Sequence, residues 1–146
     1  MLKPLSYDPN GLLPGVILNK ESGQFILYGQ SCPEDPLGFY DIIFQWFEKY
    51  SHDPNDYTEF DIKLTYFNTA SAKILLMILI KLEKLKDLGH TVKVRWFFEE
   101  EDEDLQEAGE EFETIVDIDF EIIPIKSNKE NSNNDDFFNK FIDNIG

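Results

Sequence analysis

The spacing of hydrophobic positions along the chain predicts alternating strands and helices. Two short apolar runs, GVILN (15–19) and QFILYG (24–29), flank the turn-favouring segment KESG, so we expect a β-hairpin. A helix is predicted to start at Pro36, with Asp35 as its N-cap, because proline lacks the N–H that would be unpaired at that position. The apolar residues of this helix recur at helical spacing: Phe39, Ile43, Trp46, Phe47 and Tyr50.

The middle of the chain changes its hydrophobic period twice. FDIKLTYF alternates, which predicts a strand whose second face, with Asp61, Lys63 and Thr65, meets water. The positions expected to face the core are Phe60, Ile62, Leu64 and Tyr66. From about Thr69 to Leu88 the apolar residues return at helical spacing.

Three further elements complete the pattern. TVKVRWFF alternates and predicts another strand. The second half of EEEDEDLQEAGEEFETIVD has helical character, although Gly109 disfavours a helix there. FEIIPI (120–125) predicts a final strand, which Pro124 places at a sheet edge or at the end of the strand.

The predicted order is β-β-α-β-α-β-α-β, which indicates an α/β fold. Strand–helix–strand units favour parallel pairing, and the charged faces of two strands indicate that helices pack mainly on one face of the sheet. We expect one domain over 1–126 and a polar linker followed by a short amphipathic helix over 127–146. The linker is expected to be mobile, and the helix (Phe137 to Ile145) is expected to pack on apolar surface of this domain or of a partner.

Composition excludes several classes of function. The formal net charge is −16 and the pI is about 4.3, which disfavours nucleic acid and anionic membranes as partners. One cysteine, Cys32, cannot form an internal disulfide, which fits a reducing compartment. The strongly apolar run ILLMILI is too short to span a bilayer. We therefore expect a cytoplasmic protein.

Catalytic motifs are sparse in the sequence. There is no glycine-rich phosphate loop, paired CxxC or HExxH motif, and neither His52, His90 nor Cys32 has an evident catalytic partner. The acidic run from Glu99 to Asp104 could hold a hard cation. It lacks the glycine turn and ligand spacing of a calcium loop, so a solvated acidic face is favoured. No cofactor and no metal site are expected.

Thr69 stands where a predicted strand ends and a predicted helix begins. Backbone N–H groups at a helix start lack intrahelical partners, and the helix dipole there favours negative charge. A phosphate on Thr69 would therefore find donors. The simpler reading, that Thr69 or Asn68 only caps the helix, is favoured by these residues alone.

Four features together resemble the SiaC family of regulatory phosphoproteins. They are the stretches YGQSCPEDP, LTYFNTASAKILL and VRWFFEEEDEDLQEAGEEF and the spacing between them, which cover roughly residues 15–125. The family is similar to STAS domains, the fold of anti-sigma-factor antagonists. The resemblance implies a STAS-like mixed sheet with helices on one face and a phosphorylatable hydroxyl at the start of the second helix. Thr69 stands at the matching place. Ala70 and Ala72 depart from the family pattern, which leaves Ser71 as the competing acceptor nearby.

The resemblance implies a phosphorylation-switched regulator rather than an enzyme. A kinase and a PP2C-type phosphatase would set its state. The dephosphorylated form would bind and activate an output protein, expected to be a diguanylate cyclase, and so promote c-di-GMP signalling, biofilm formation or aggregation. Loops that leave strands toward helices gather at one sheet edge, so the expected partner-binding residues are Asn68, Ser71, Ser31, Glu34, Asp35, Glu99, Glu100, Asp102 and Asp104.

Two alternatives remain open from the sequence. A small metal-dependent enzyme could use the acidic run Glu99 to Asp104, and it predicts a tight divalent-metal site. A structural adaptor that is never modified is the other alternative.

Overall fold

The computed structural model describes residues 2–126, in which three strands are followed by three helix–strand pairs. The strands are β1 (Leu5–Tyr7), β2 (Gly15–Asn19), β3 (Gln24–Ser31), β4 (Tyr57–Phe67), β5 (Thr91–Glu99) and β6 (Asp119–Ile125). The helices are α1 (Pro36–Tyr50), α2 (Thr69–Asp87) and α3 (Glu103–Ile115). The expected linker and C-terminal helix lie outside the described residues.

All six strands form one mixed sheet in the order β1-β2-β3-β4-β5-β6. The pairs β1–β2 and β2–β3 are antiparallel, and the pairs β3–β4, β4–β5 and β5–β6 are parallel. The predicted fold class is therefore confirmed. The element order needs one correction, because β1 was not predicted: it has three residues, too few for a period to be read, and it is held by pairing with β2.

A single hydrophobic core lies between one face of the sheet and the three helices. One row across the sheet shows how the strands supply it: Leu18, Phe25, Phe60, Val94 and Phe120 are register partners in turn, and all are buried. Side chains of α1, α2 and α3 belong to the same cluster. The helices thus cover this face, which we call the inner face; the opposite face of the sheet is called the outer face.

A β-bulge near the end of β4 reverses its alternation. Gly29 of β3 pairs with Leu64, but Gln30 pairs with Tyr66, so Thr65 is an extra residue on β4. Tyr66 is consequently 56% exposed, and Phe67 instead turns inward, where its ring meets Trp96 edge-on at 5.9 Å. The expectation that Tyr66 faces the core was wrong, because an unbroken alternating sequence does not reveal a bulge.

Side chains at the centre of the outer face are also less exposed to solvent than the alternation of β4 predicts. Asp61 and Lys63 are both buried, and Asp61 receives a two-point hydrogen bond from Arg95, with Nε–Oδ1 2.7 Å and Nη2–Oδ2 2.6 Å. The second face of β4 is therefore not fully wet.

Candidate partner-binding rim

Three helix N-termini meet at one edge of the sheet. The parallel strands β3, β4 and β5 end there, at Ser31, Phe67 and Glu99, and each is followed by a helix. We call this edge the rim and define it as 31–35, 67–69 and 99–104. The predicted site residues Glu34, Asp35, Asn68, Thr69, Glu99, Glu100, Asp102 and Asp104 all fall on it.

Asn68, not Thr69, caps α2. The Asn68 side chain accepts a hydrogen bond from the backbone N–H of Ser71 at 2.9 Å, and Thr69 is the first residue of the helix. Thr69 is exposed. Its hydroxyl is thus displayed at the helix start without being needed for capping.

Ser71 lies in a buried chain of hydroxyl groups. Its Oγ donates to the main-chain oxygen of Ser31 at 2.9 Å and accepts a hydrogen bond from Ser31 Oγ at 2.9 Å. Ser31 Oγ also lies 2.6 Å from the hydroxyl of Tyr40 on α1. Burial raises the pKa of Tyr40 to about 12, so this phenol stays protonated at neutral pH. These hydrogen bonds hold the end of β3 against α1 and the first turn of α2.

The position of these two serines corrects the sequence-based expectation for them. Ser31 and Ser71 are both 0% exposed, so neither side chain is presented to a partner in this structure, and Ser71 is not accessible as a competing phosphoacceptor. Their hydrogen bonds instead fix the backbone that carries Asn68 and Thr69; the Asn68 N–H donates to the Ser31 oxygen at 3.3 Å.

Acidic residues on the rim have two different roles. Asp35 caps α1 by accepting from the N–H of Gly38 at 3.2 Å, and Asp102 caps α3 by accepting from the N–H of Leu105 at 3.0 Å. Glu34 and Glu100 are exposed and Glu99 is half-buried. Asp104 is exposed in the first turn of α3, where the helix dipole favours a carboxylate.

A shallow acidic depression lies at the start of α3, lined by Glu99, Glu101, Asp102, Glu103 and Asp104. Within residues 2–126, no group of three or more His, Cys, Asp or Glu side chains is arranged to hold a metal ion. The described structure therefore offers no observation that favours the metal-dependent enzyme.

Gly109 allows α3, which follows the acidic run, to pack closely against the sheet. A Cβ on Gly109 would lie 2.5 Å from Cδ1 of Trp96, so only glycine lets α3 approach the sheet this closely. Trp96 Nε1 also donates to the main-chain oxygen of Leu105 at 3.0 Å. The residue that disfavoured a helix in the sequence is the one that seats α3 and positions its N-terminus on the rim.

An exposed apolar stripe continues from Thr69 along α2. Thr69, Lys73 and Ile80 fall on the helix side opposite the buried residues, with Met77 beside them. Met77 and Ile80 are among the large hydrophobic residues that remain exposed.

The profile of the family described as "SiaC family regulatory phosphoprotein" matches residues 9–125. The chain belongs to this family. The matched range begins before β2 and ends with β6, so it includes all three helices and the whole rim.

Relatives in Pseudomonas aeruginosa agree with the family assignment. An uncharacterized protein of that species is 30% identical over 99 residues, which is 68% of this chain and 79% of the relative. The crystal structure of apo-SiaC from Pseudomonas aeruginosa matches with a TM-score of 0.77 and 26% sequence identity. The match covers 83% of this chain and 98% of that chain.

Another similar structure contains a partner protein. It is the crystal structure of the diguanylate cyclase SiaD in complex with its activator SiaC, also from Pseudomonas aeruginosa. The matched chain is 27% identical with a TM-score of 0.78, and the match covers 83% of this SiaC-family chain and 99% of that chain. Among the described residues of the present chain, none of the helices is both long and apolar enough to cross a membrane.

Proposed function

We propose that this SiaC-family protein is a phosphorylation-switched activator of a diguanylate cyclase and has no catalytic activity of its own. The dephosphorylated form binds and activates the cyclase, and phosphorylation of Thr69 ends the interaction. A kinase and a PP2C-type phosphatase set the two states in the cytoplasm, and the output is c-di-GMP signalling that controls biofilm formation or aggregation. Similarity to a SiaC that is the activator of a diguanylate cyclase supports the choice of partner.

The observation that carries the proposal is the separation of capping from display at the start of α2. Asn68 satisfies the free N–H of Ser71, while Thr69 presents its hydroxyl to solvent. Ser71, the neighbouring hydroxyl, is buried and hydrogen-bonded on both sides. A kinase thus meets one accessible hydroxyl on this turn.

A phosphate on Thr69 would change the surface more than the fold. It adds about 1.5 to 2 negative charges at pH 7, at a helix N-terminus where the dipole favours them. Lys73 lies four residues further along the same exposed side of α2, within reach of an i,i+4 ion pair. The domain should therefore stay folded when modified.

The partner would experience the change as added charge at the apolar stripe. Met77 and Ile80 follow Thr69 and Lys73 along the exposed side of α2, and Thr69 itself lies on an edge that is already acidic at Glu34 and at 99–104. Burying a hydrated dianion under a protein contact is costly, and added negative charge repels an acidic partner surface. Both effects weaken binding without altering the core.

The test joins phosphosite mapping in native cells to a cyclase assay. Tagged Thr69→Ala is used to recover the cyclase, and c-di-GMP synthesis is then measured with wild type, Thr69→Ala, Thr69→Asp and Thr69→Asn. Thr69→Asn is the matched control for Thr69→Asp, since the two side chains have nearly the same shape and differ in charge. We expect Thr69→Ala and Thr69→Asn to activate and Thr69→Asp to activate poorly.

Two results would overturn the proposal. Phosphate found only at other residues would leave Thr69 without a switching role. Equal activation by Thr69→Asp and Thr69→Asn would show that charge at this position does not control the partner. Failure of every variant to recover a cyclase, with another protein recovered instead, would reject the cyclase as output while leaving the switch open to the same comparison.

A further inference from the structure

The outer face of the sheet is buried in places that the helices do not reach. Ile26 and Tyr28 on β3 are buried, yet neither belongs to the core cluster between the inner face and the helices. Lys63 on β4, the register partner of Tyr28, is only 1% exposed. All described helices contribute to the core on the opposite side. The ring of Tyr28 lies across Gly15 of β2, whereas the burial of Lys63 on the same face needs a cover that the helices do not supply.

Register divides this face into a charged row and an apolar row. The charged row runs through Asp61, Arg95 and Glu121, which are partners on β4, β5 and β6, and Arg95 binds Asp61 directly. Nearer the rim, Phe97 pairs with Ile123, and the ammonium group of Lys63 lies 4.7 Å from the centre of the Phe97 ring. Tyr28 extends this second row on the β3 side.

Lys63 is the informative residue of the apolar row. A lysine ammonium is rarely taken out of water, because the loss of hydration is costly. Burial lowers the pKa of Lys63 to about 8, while Asp61 raises it and Arg95 lowers it further. Water is thus excluded around Lys63 and Tyr28, while Phe97 and Ile123, further along the same row, are half-buried. An apolar covering segment creates such an environment.

We propose that the C-terminal segment 137–145 of this same chain packs across the apolar row of the outer face, over Tyr28, Lys63, Phe97 and Ile123. The segment reads FFNKFIDNI. Its apolar residues are spaced as on one side of a helix: Phe137, Phe138, Phe141, Ile142 and Ile145.

The polar stretch before this segment is long enough to allow the docking. The described chain ends at Lys126, directly after β6, which is an edge strand of the sheet. The ten residues 127–136 (SNKENSNNDD) can span up to about 33 Å when extended. Crossing from β6 to β3 needs about 15 Å at the usual strand spacing. The whole apolar row is within reach.

The cover is proposed to be intramolecular because the segment is tethered beside the face it fits. A short linker gives the tethered segment a high effective concentration at this face, which favours binding to its own chain over binding to a second copy. Aromatic side chains left in water would also form an exposed patch prone to association. This inference does not depend on the proposed switch, since the outer face and the stripe on α2 lie on opposite sides of the molecule.

Acylation of lysines with an amine-reactive reagent, read by mass spectrometry, tests the cover in the full-length chain. Lys63 should react slowly in wild type and several-fold faster in Phe137→Ser/Phe138→Ser/Phe141→Ser. A matched variant with three substitutions in the polar stretch, Asn128→Ser/Asn131→Ser/Asn133→Ser, should react like wild type. Lys73, exposed on α2, should react equally in all three proteins and reports equal reagent delivery.

Three further results complete the test. Equal Lys63 reactivity in wild type and in the variant with the three phenylalanines replaced would overturn the proposal. Faster reaction of Lys63 on dilution, with a dimer seen by light scattering, would overturn it in favour of a segment exchanged between two copies. If the variant with the three phenylalanines replaced loses its far-UV circular dichroism signal, Phe141→Ala is used in its place. Lys63 reactivity equal to that of wild type in folded Phe141→Ala would likewise overturn the proposal.

Discussion

The hydroxyl of Ser71 donates to the main-chain oxygen of Ser31 at 2.9 Å, which ties the first turn of α2 to the end of β3. Ser31 Oγ returns a hydrogen bond to Ser71 Oγ at the same distance of 2.9 Å. Forty positions apart in sequence, these two side chains hold the strand end and the helix start in one fixed arrangement. Thr69 is displayed on the surface because the residues beside it are fastened in this way.

Removal of the Ser71 hydroxyl should destabilise the protein. In Ser71→Ala the Ser31 oxygen keeps the Asn68 N–H as a partner and Ser31 Oγ keeps Tyr40. Two buried hydrogen bonds are lost, each worth about 0.5–1.5 kcal/mol. The control is Ser51→Ala, whose hydroxyl donates to the Glu48 oxygen at an exposed position; surface changes usually stay within about 0.5 kcal/mol. Urea denaturation measures both, and an equal loss in the two variants would contradict the structural role of Ser71.

The division between Asn68 and Thr69 predicts unequal effects on stability. Asn68→Ala removes the side chain that accepts from the Ser71 N–H, and loss of such a cap costs about 1 kcal/mol. Thr69→Ala, one residue later, leaves the cap in place and should change the free energy of unfolding by less than about 0.5 kcal/mol. A loss in Thr69→Ala as large as in Asn68→Ala would show that Thr69 does the capping.

Gly109→Ala should be destabilising although alanine favours helices. The new Cβ would lie 2.5 Å from Trp96 Cδ1, inside contact distance of a buried ring. Overpacking of this kind costs about 1–3 kcal/mol, while the change from glycine to alanine within a helix returns about 1 kcal/mol. Thermal unfolding should show a lower Tm. Gln106→Ala, on the same helix, serves as the control, and a Tm for Gly109→Ala above that of wild type would contradict the close packing.

Lys63 predicts a rise of stability with pH on the alkaline side. Burial lowers its pKa from 10.5 to about 8, so between these values the unfolded chain holds a proton that the folded chain has released. The free energy of unfolding contributed by Lys63 therefore increases with pH across this window. The measurement is made from pH 7 up to about pH 10, where tyrosines begin to ionise.

A neutral variant isolates this contribution. Lys63→Met should lack the alkaline rise and should be the more stable protein near pH 7, since a buried charge is removed. Lys73→Met, at an exposed position on α2, should retain the rise. Parallel pH dependence in wild type and Lys63→Met would show that Lys63 titrates alike in the folded and unfolded chains.

The sequence by itself determined the helices, five of the six strands and the acidic, Thr69-containing edge, because these depend on local signals. Helical and alternating periods mark which side of each element is apolar, and Asp35 and Pro36 mark where the first helix begins. Joining parallel strands through helices then places the strand ends at one edge. The same logic correctly located Thr69 at the start of α2, directly after β4.

Only the tertiary structure decided which of these residues face water. The extra residue Thr65 turns Tyr66 outward and Phe67 inward, and its placement depends on pairing with β3 rather than on the local sequence. Ser31 and Ser71 are buried because they meet each other and Tyr40 across three elements. Gly109 is compatible with a helix because Trp96 fills the space beside it. The hydrophobic period of a segment shows which side of a helix or strand each residue lies on. Whether that side is exposed depends on which segments, distant in sequence, pack against it.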